Sequence, residues 1–256
     1  MSSAMLDHVI AQVLSLQVRL LACQARLVAD TDSEALHDLR IGVRRLRSVL
    51  RPLRALPGVD QLEAAAKALG SLTTPLRDRE VLAAQLLERQ QVAAAQARLA
   101  QRRQTFASVA ASAELARLLA IIDAFPVFLR AAQRQGLIRR LQQRIDKRLE
   151  KQWKQLRQAL DDPAHDRHRL RLLIKRVRYA AEAYPQLQHS NSRLQKALKR
   201  AQSDLGSWHD LLQWLLQAEQ QRDLAPCVSH WQAQLAKAEQ GADATLERLQ
   251  AQLAQR

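Results

Sequence analysis

Apolar residues recur at helical spacing along almost the whole chain, and the stretch HDLRIGVRRLRSVLRPLR at 37–54 shows the pattern best. At about 100° per residue, Leu39, Val43, Leu46, Leu50 and Leu53 gather on one side as an amphipathic stripe. His37, Arg40, Arg44, Arg47 and Arg51 share another arc of roughly 80°, with Arg54 at its margin. No acid lies on that arc, and like charges at i,i+3 and i,i+4 repel by about 0.2–0.5 kcal/mol per pair. Such a row is either left to water or offered to a polyanion.

The same periodicity predicts the other elements. A first helix covers Met5 to Ala29, and 30–33, DTDS, supplies N-cap residues for the basic helix, which runs from about Glu34 to Leu56 and stops at Pro57-Gly58. A third helix covers about 60–72 and is broken by Thr73-Thr74-Pro75; a fourth begins near Asp78, and 106–125 is one more or its continuation. Pro126 and Gly136 bracket a crossing to the second half. There, 136–160 carries a basic stripe of Arg140, Arg144, Lys147, Lys151 and Lys154. Asp161-Asp162-Pro163 reads as an N-cap acid followed by proline at the first helical position of a helix ending at Tyr184-Pro185. The last three helices are 192–206, ending at Gly206, one opened by Asp210, and 227–254.

The basic helix has a second copy. His168 to Tyr179 reads HRLRLLIKRVRY, and aligning the histidines pairs His37 with His168, Arg40 with Arg171, Arg44 with Lys175, Arg45 with Arg176 and Arg47 with Arg178. The offset is 168 − 37 = 131 residues, about half the chain, as for a duplicated helical unit. Glu182 stands where Arg51 stands in the first copy, so the second row is less basic. A second landmark follows each copy: LRD at 76–78 and WHD at 208–210, where Asp78 and Asp210 each open an apolar helical run. The simplest role for these acids is helix N-capping; the sharper one is pairing with arginines of the basic helix. With four or more helices in each half, two four-helix bundles side by side are expected, over about 1–130 and 131–256 of a single domain.

Composition agrees with an all-α chain: Ala, Leu, Gln and Arg dominate, glycines number 6 and aromatics make up 4%. The net charge of +15 attracts anions, whether nucleic acid, acidic membrane or polyphosphate. Cys23 and Cys227 cannot form a disulfide framework, which favours a reducing cytoplasm. The first helix lacks a basic leader and carries Asp7, so no signal peptide is expected, nor any apolar run of the roughly 20 residues that span a bilayer. His8, His165, His189, His209 and His230 show no metal-ligand spacing; no metal and no cofactor are expected. The four tryptophans are read as packing residues. Gly42, inside the basic helix, permits close approach of another helix or of a ligand.

These segments resemble the CHAD family, the conserved histidine α-helical domain, through HDLRIGVRRLR at 37–47, LRDREVL at 76–82, HRLRLLIKRVRYAAEAY at 168–184 and LQKALKRAQSDLGSWHD at 194–210. The resemblance implies two helical bundles related by a pseudo-twofold axis, with the signature helices lining a basic central groove. It implies non-enzymatic binding of inorganic polyphosphate and recruitment to polyphosphate granules. Many family members carry a fused triphosphatase domain; with no acidic E-x-E-x-K motif here, a stand-alone member is expected. By matching position the binding residues are His37, Arg40, Arg44 and Arg47 with His168, Arg171, Lys175 and Arg178. Arg45 and Arg176, about 100° further round, reach a neighbouring helix or the ligand; Arg51, Tyr179, Arg140, Arg144 and Lys147 extend the set.

Two other classes compete. Net charge suits RNA or DNA as well, but few aromatics flank the arginines to stack bases, and no helix-turn-helix is seen. A phosphohydrolase, or its regulator, would usually need clustered acids for a metal, and none stands out.

Overall fold

The computed structural model describes residues 2–187 and 191–254, and every regular element among them is helical. The helices are α1 (Ser2–Ala29), α2 (Ala35–Leu50), α3 (Val59–Glu88), α4 (Val92–Leu99), α5 (Arg102–Ala110), α6 (Ala113–Arg134), α7 (Leu141–Leu160), α8 (Arg167–Ala183), α9 (Ser192–Ala218) and α10 (Val228–Ala254). Short 3-10 stretches, Arg51–Leu53 and Arg222–Cys227, follow α2 and precede α10. The chain divides into two compact units, Met1–Asp146 and Lys147–Arg256, the boundary falling inside α7.

In the first unit α1 packs on α2, α5 and α6, and α3 packs on α2, α4 and α6. The stripe Leu39, Val43, Leu46 and Leu50 of α2 is buried, as its spacing predicts, and so are Leu6, Val9, Val13 and Leu20 of α1 and Leu62 and Leu69 of α3, the two helices that α2 packs on. Each such side chain contributes about 1.5–3 kcal/mol on leaving water. Gly42 is the close-approach point: a Cβ there would lie 3.0 Å from Leu20 Cδ2. By length and composition Ala4–Ala29 does qualify as a candidate membrane span, contrary to expectation. Its buried row, including Val9, Val13, Leu20 and Leu27, packs in the core of this unit, while Leu14, Val18, Leu21 and Val28 are exposed.

The second unit is built on α9, which packs against both α8 and α10. Trp153 and Leu156 of α7, Leu170, Ile174 and Val177 of α8, Leu198 and Leu205 of α9 and Leu246 and Leu249 of α10 form its core.

Several predicted breaks are not breaks. α3 runs through Pro75, and the Thr73 and Thr74 hydroxyls donate back to the Leu69 and Gly70 carbonyls at 2.8 and 2.7 Å. α6 runs through buried Pro126, and ends in a Schellman motif at Gly136 (φ 72°), whose N–H donates to Gln133 while Leu137 N–H donates to Ala132. α9 continues through Gly206 to Ala218. Asp78 and Asp210 therefore sit inside helices and cap nothing. The cap of α8 is Asp166, which accepts from His168 N–H at 2.8 Å, rather than the Asp162-Pro163 pair. The DTDS segment does not cap α2 by side chain; Asp32 accepts from Glu34 N–H and pairs with Arg26. The basic helix is also shorter than expected, giving way to a 3-10 turn at Arg51.

Candidate functional site

In the first unit the basic row of α2 faces α3. Arg44 and Arg45 are exposed, while His37, Arg40, Arg47 and Arg51 are half-buried. Arg40 docks on the α3 segment around Pro75: its Nη1 donates to Gly70 O at 3.2 Å, Thr73 Oγ1 at 3.0 Å and Thr74 Oγ1 at 3.1 Å. Burial pushes its guanidinium below the ordinary arginine range, and the nearby Asp78 carboxylate opposes that. Asp78 thus lies within electrostatic reach of a signature arginine. His37 is held below its ordinary value by burial and then by Arg77, the residue before Asp78. Arg77 in turn pairs with Glu80 at 2.9 Å. Beyond the row, Arg54 grips Glu63. Burial raises that carboxyl, but Arg54, with Arg51 and Arg47 further off, carries it below its usual range.

In the second unit the row of α8 faces α9. The His168 ring lies 5.4 Å from that of His209, tilted by 53°. Burial, followed by the charges of Arg171, His168 and Lys175, pushes the His209 imidazole down to about 4. His168, Arg171 and Lys175 of α8 and His209 of α9 are therefore gathered together. Arg178 and Tyr179 belong to a different network. Arg178 donates to Gln202 at 2.7 Å, pairs with Glu182 at 2.5 Å and lies 4.4 Å over the Tyr179 ring. Tyr179 is buried and accepts from Gln202 at 3.2 Å. Arg176 is exposed and lies in neither hydrogen-bonded set; with His168 it lines a cleft beside α7.

On α7, Arg144 and Lys147 are exposed. Arg140 precedes the helix with φ 50°, so it stands off the helical stripe that sequence spacing assigns it. No group of three or more His, Cys, Asp or Glu residues able to hold a metal occurs among the described residues, and His189 lies outside them. Trp153, Trp208 and Trp231 are buried, and Trp214 stacks on Trp231 at 5.6 Å.

Arg77 and His209 are site residues that the sequence reading passed over. Each stands one place before the aligned acids, Asp78 and Asp210, and each faces the signature histidine of its own unit. The alignment of LRD with WHD already brackets them; what hides them is the assumption that these segments are helix starts rather than helix interiors.

The sequence model of the CHAD domain matches residues 12–219. Among solved structures, the chain is similar to the crystal structure of the CHAD domain from the plant Ricinus communis. Identity is 26% over 97% of this chain and 91% of that one, with a TM-score of 0.73. Comparison with curated proteins returns no match.

Proposed function

The chain belongs to the CHAD domain family, and from that premise we propose that it binds inorganic polyphosphate, without catalysis, through the signature rows of α2 and α8. The observation that carries this reading is the crowding of cations around His209. Burial first, and then the charges of Arg171, His168 and Lys175, keep that ring neutral down to about pH 4, with the His168 ring 5.4 Å away. Side chains of one sign held this close leave a field that an anion relieves. The α2 row offers a parallel set, with Arg77 beside His37 and Arg44 also contributing.

The chemistry suits a phosphate chain. Polyphosphate bears charge on every unit and has no base edges, so recognition asks for many charge-assisted hydrogen bonds and no stacking platform. Arginine supplies a planar fork of donors that stays charged. Binding releases counterions, so affinity falls with salt. In this reading the two most open cations, Arg44 and Arg45, meet the ligand from α2, and Arg171 and Lys175 meet it from α8. Arg40 and Arg178 brace their own helices. The protein works in the cytoplasm, attached to polyphosphate granules.

The test is direct binding of long-chain polyphosphate, ssDNA, dsDNA and RNA at two salt concentrations, with Arg44→Glu plus Lys175→Glu alongside. Preference for polyphosphate, lost in the double variant, is expected. Equal binding of nucleic acid, or normal polyphosphate binding by the double variant, overturns the proposal.

A further inference from the structure

The second unit carries another cationic surface, which the signature rows do not include. On α7, Lys147, Arg148, Lys151 and Lys154 fall within an arc of roughly 120°, and all four are exposed. Gln155 and Gln158 share that arc, which lies opposite the face that buries Leu149, Trp153 and Leu156. The face runs into a cleft of about 290 Å³ where α7 meets α8. Gln155 and Gln158 line one wall, and His168, Arg169, Leu172 and Arg176 the other.

Arg169 and Arg176 lie about 80–100° round α8 from His168, on the flank away from Arg171, Lys175 and Arg178. Both are exposed, and neither makes a hydrogen bond or ion pair among the described residues. The two glutamines are likewise exposed and unengaged there, and add amide donors. One acid, Asp166, stands at the edge of the cleft, with one carboxylate oxygen already committed to His168 N–H. Cations therefore outnumber acids along the whole path.

We infer that the outward face of α7 and the α7–α8 cleft form a second polyphosphate track, on the other flank of α8 from the Arg171–Lys175–His209 cluster. The inference rests on the polyphosphate reading above and deepens it: His168 borders both surfaces, so one unit can engage two segments of a long chain, or two chains. An unbranched phosphate chain fits better than nucleic acid, because the track offers charge and amide donors with no Phe, Tyr or Trp side chain among the residues that form it.

The experiment starts from three full-length proteins, compared for binding of long-chain polyphosphate across a salt series. They are wild type, the track variant (Lys147→Gln, Lys151→Gln, Lys154→Gln, Arg169→Gln, Arg176→Gln) and a charge-matched control at five scattered exposed cations (Lys67→Gln, Arg117→Gln, Arg134→Gln, Lys237→Gln, Arg248→Gln). The track variant is expected to lose at least about tenfold in affinity and about 3.5 in the slope of log K against log salt, at roughly 0.7 per phosphate contact for a single strand. The control is expected to lose far less. Arg169→Gln with Arg176→Gln alone removes two exposed side chains, guards against misfolding of the quintuple variant, and is expected to lower the slope by about 1.4. If the track variants bind no worse than the control while Arg44→Glu plus Lys175→Glu abolishes binding, the track is wrong and the signature rows stand. If wild type does not prefer polyphosphate, both readings fall together.

Discussion

Arg40 and Arg44 are one helical turn apart on the same basic row, yet the structure gives them opposite jobs, and that contrast can be measured. Arg40 Nη1 reaches Gly70 O, Thr73 Oγ1 and Thr74 Oγ1 at 3.2, 3.0 and 3.1 Å. A nitrogen with two protons satisfies at most two of these well. A hydrogen bond from a charged donor is worth about 1.5–3 kcal/mol net. Against this, burial disfavours the guanidinium cation. Removing it orphans no acceptor completely, since both threonine hydroxyls still donate to Leu69 and Gly70. Arg40→Gln should therefore cost about 1–2 kcal/mol, or roughly 3–6 °C in Tm for a chain of this size. Arg44 is exposed, so Arg44→Gln should leave Tm within about 1 °C and lower polyphosphate affinity by about tenfold, one charged hydrogen bond's worth. Thermal melts by circular dichroism with binding isotherms on the same samples provide the assay. Unchanged melting of Arg40→Gln, or an equal drop for Arg44→Gln, would refute the division of labour.

Other expectations concern the backbone and pH. Gly206 sits inside α9 with nothing within 4 Å of an added Cβ, so Gly206→Ala should stabilise by about 0.5–1 kcal/mol, read as a rise in the urea midpoint. Gly58→Ala should do the reverse, by more than 1 kcal/mol, because Gly58 has φ 75° and its missing Cβ would lie 2.7 Å from Phe128 Cε1. His209 should make stability pH-dependent. Its native value is about 4 against an ordinary 6.5, so between those limits the unfolded chain binds more protons and stability falls as pH falls. The full linkage is about 3 kcal/mol, and about 1–2 kcal/mol after screening at a partly exposed ring. His209→Gln should abolish that part of the loss between pH 6.5 and 4 while matching wild type's slope above pH 7; identical profiles for the two proteins would contradict the assignment.

Helix faces were legible from sequence because burial and periodicity obey the same 3.6-residue repeat. Leu39, Val43, Leu46 and Leu50 are buried, and Arg44 exposed, as spacing required. Helix ends were not. Thr73-Thr74-Pro75 has the composition of a break, but packing holds the helix together and Arg40 supplies a donor from another helix, which no local rule registers. Gly206 is a helix stop by propensity, and α9 runs through it between Leu205 and Trp208, both buried. Those two misplaced ends concealed most of what the site adds. With α3 and α9 read as continuous, Arg77, Asp78 and His209 become residues facing the signature helix instead of helix starts. The division of the α2 row into exposed and docked cations was likewise hidden. Arg40 and Arg44 look alike in sequence, and only the contacts to Gly70, Thr73 and Thr74 tell them apart.

Polyphosphate seated on the signature rows must alter the rings beside it. NMR titration of the His168 and His209 imidazoles, with and without polyphosphate, reads this out. Burial contributes most to the depressed His209 value, and a bound polyanion beside Arg171 and Lys175 offsets the share those charges add, so both rings should show perturbed resonances and the His209 midpoint should rise above about 4. Saturating polyphosphate that leaves both resonances and the His209 midpoint where they stand in the free protein would contradict it.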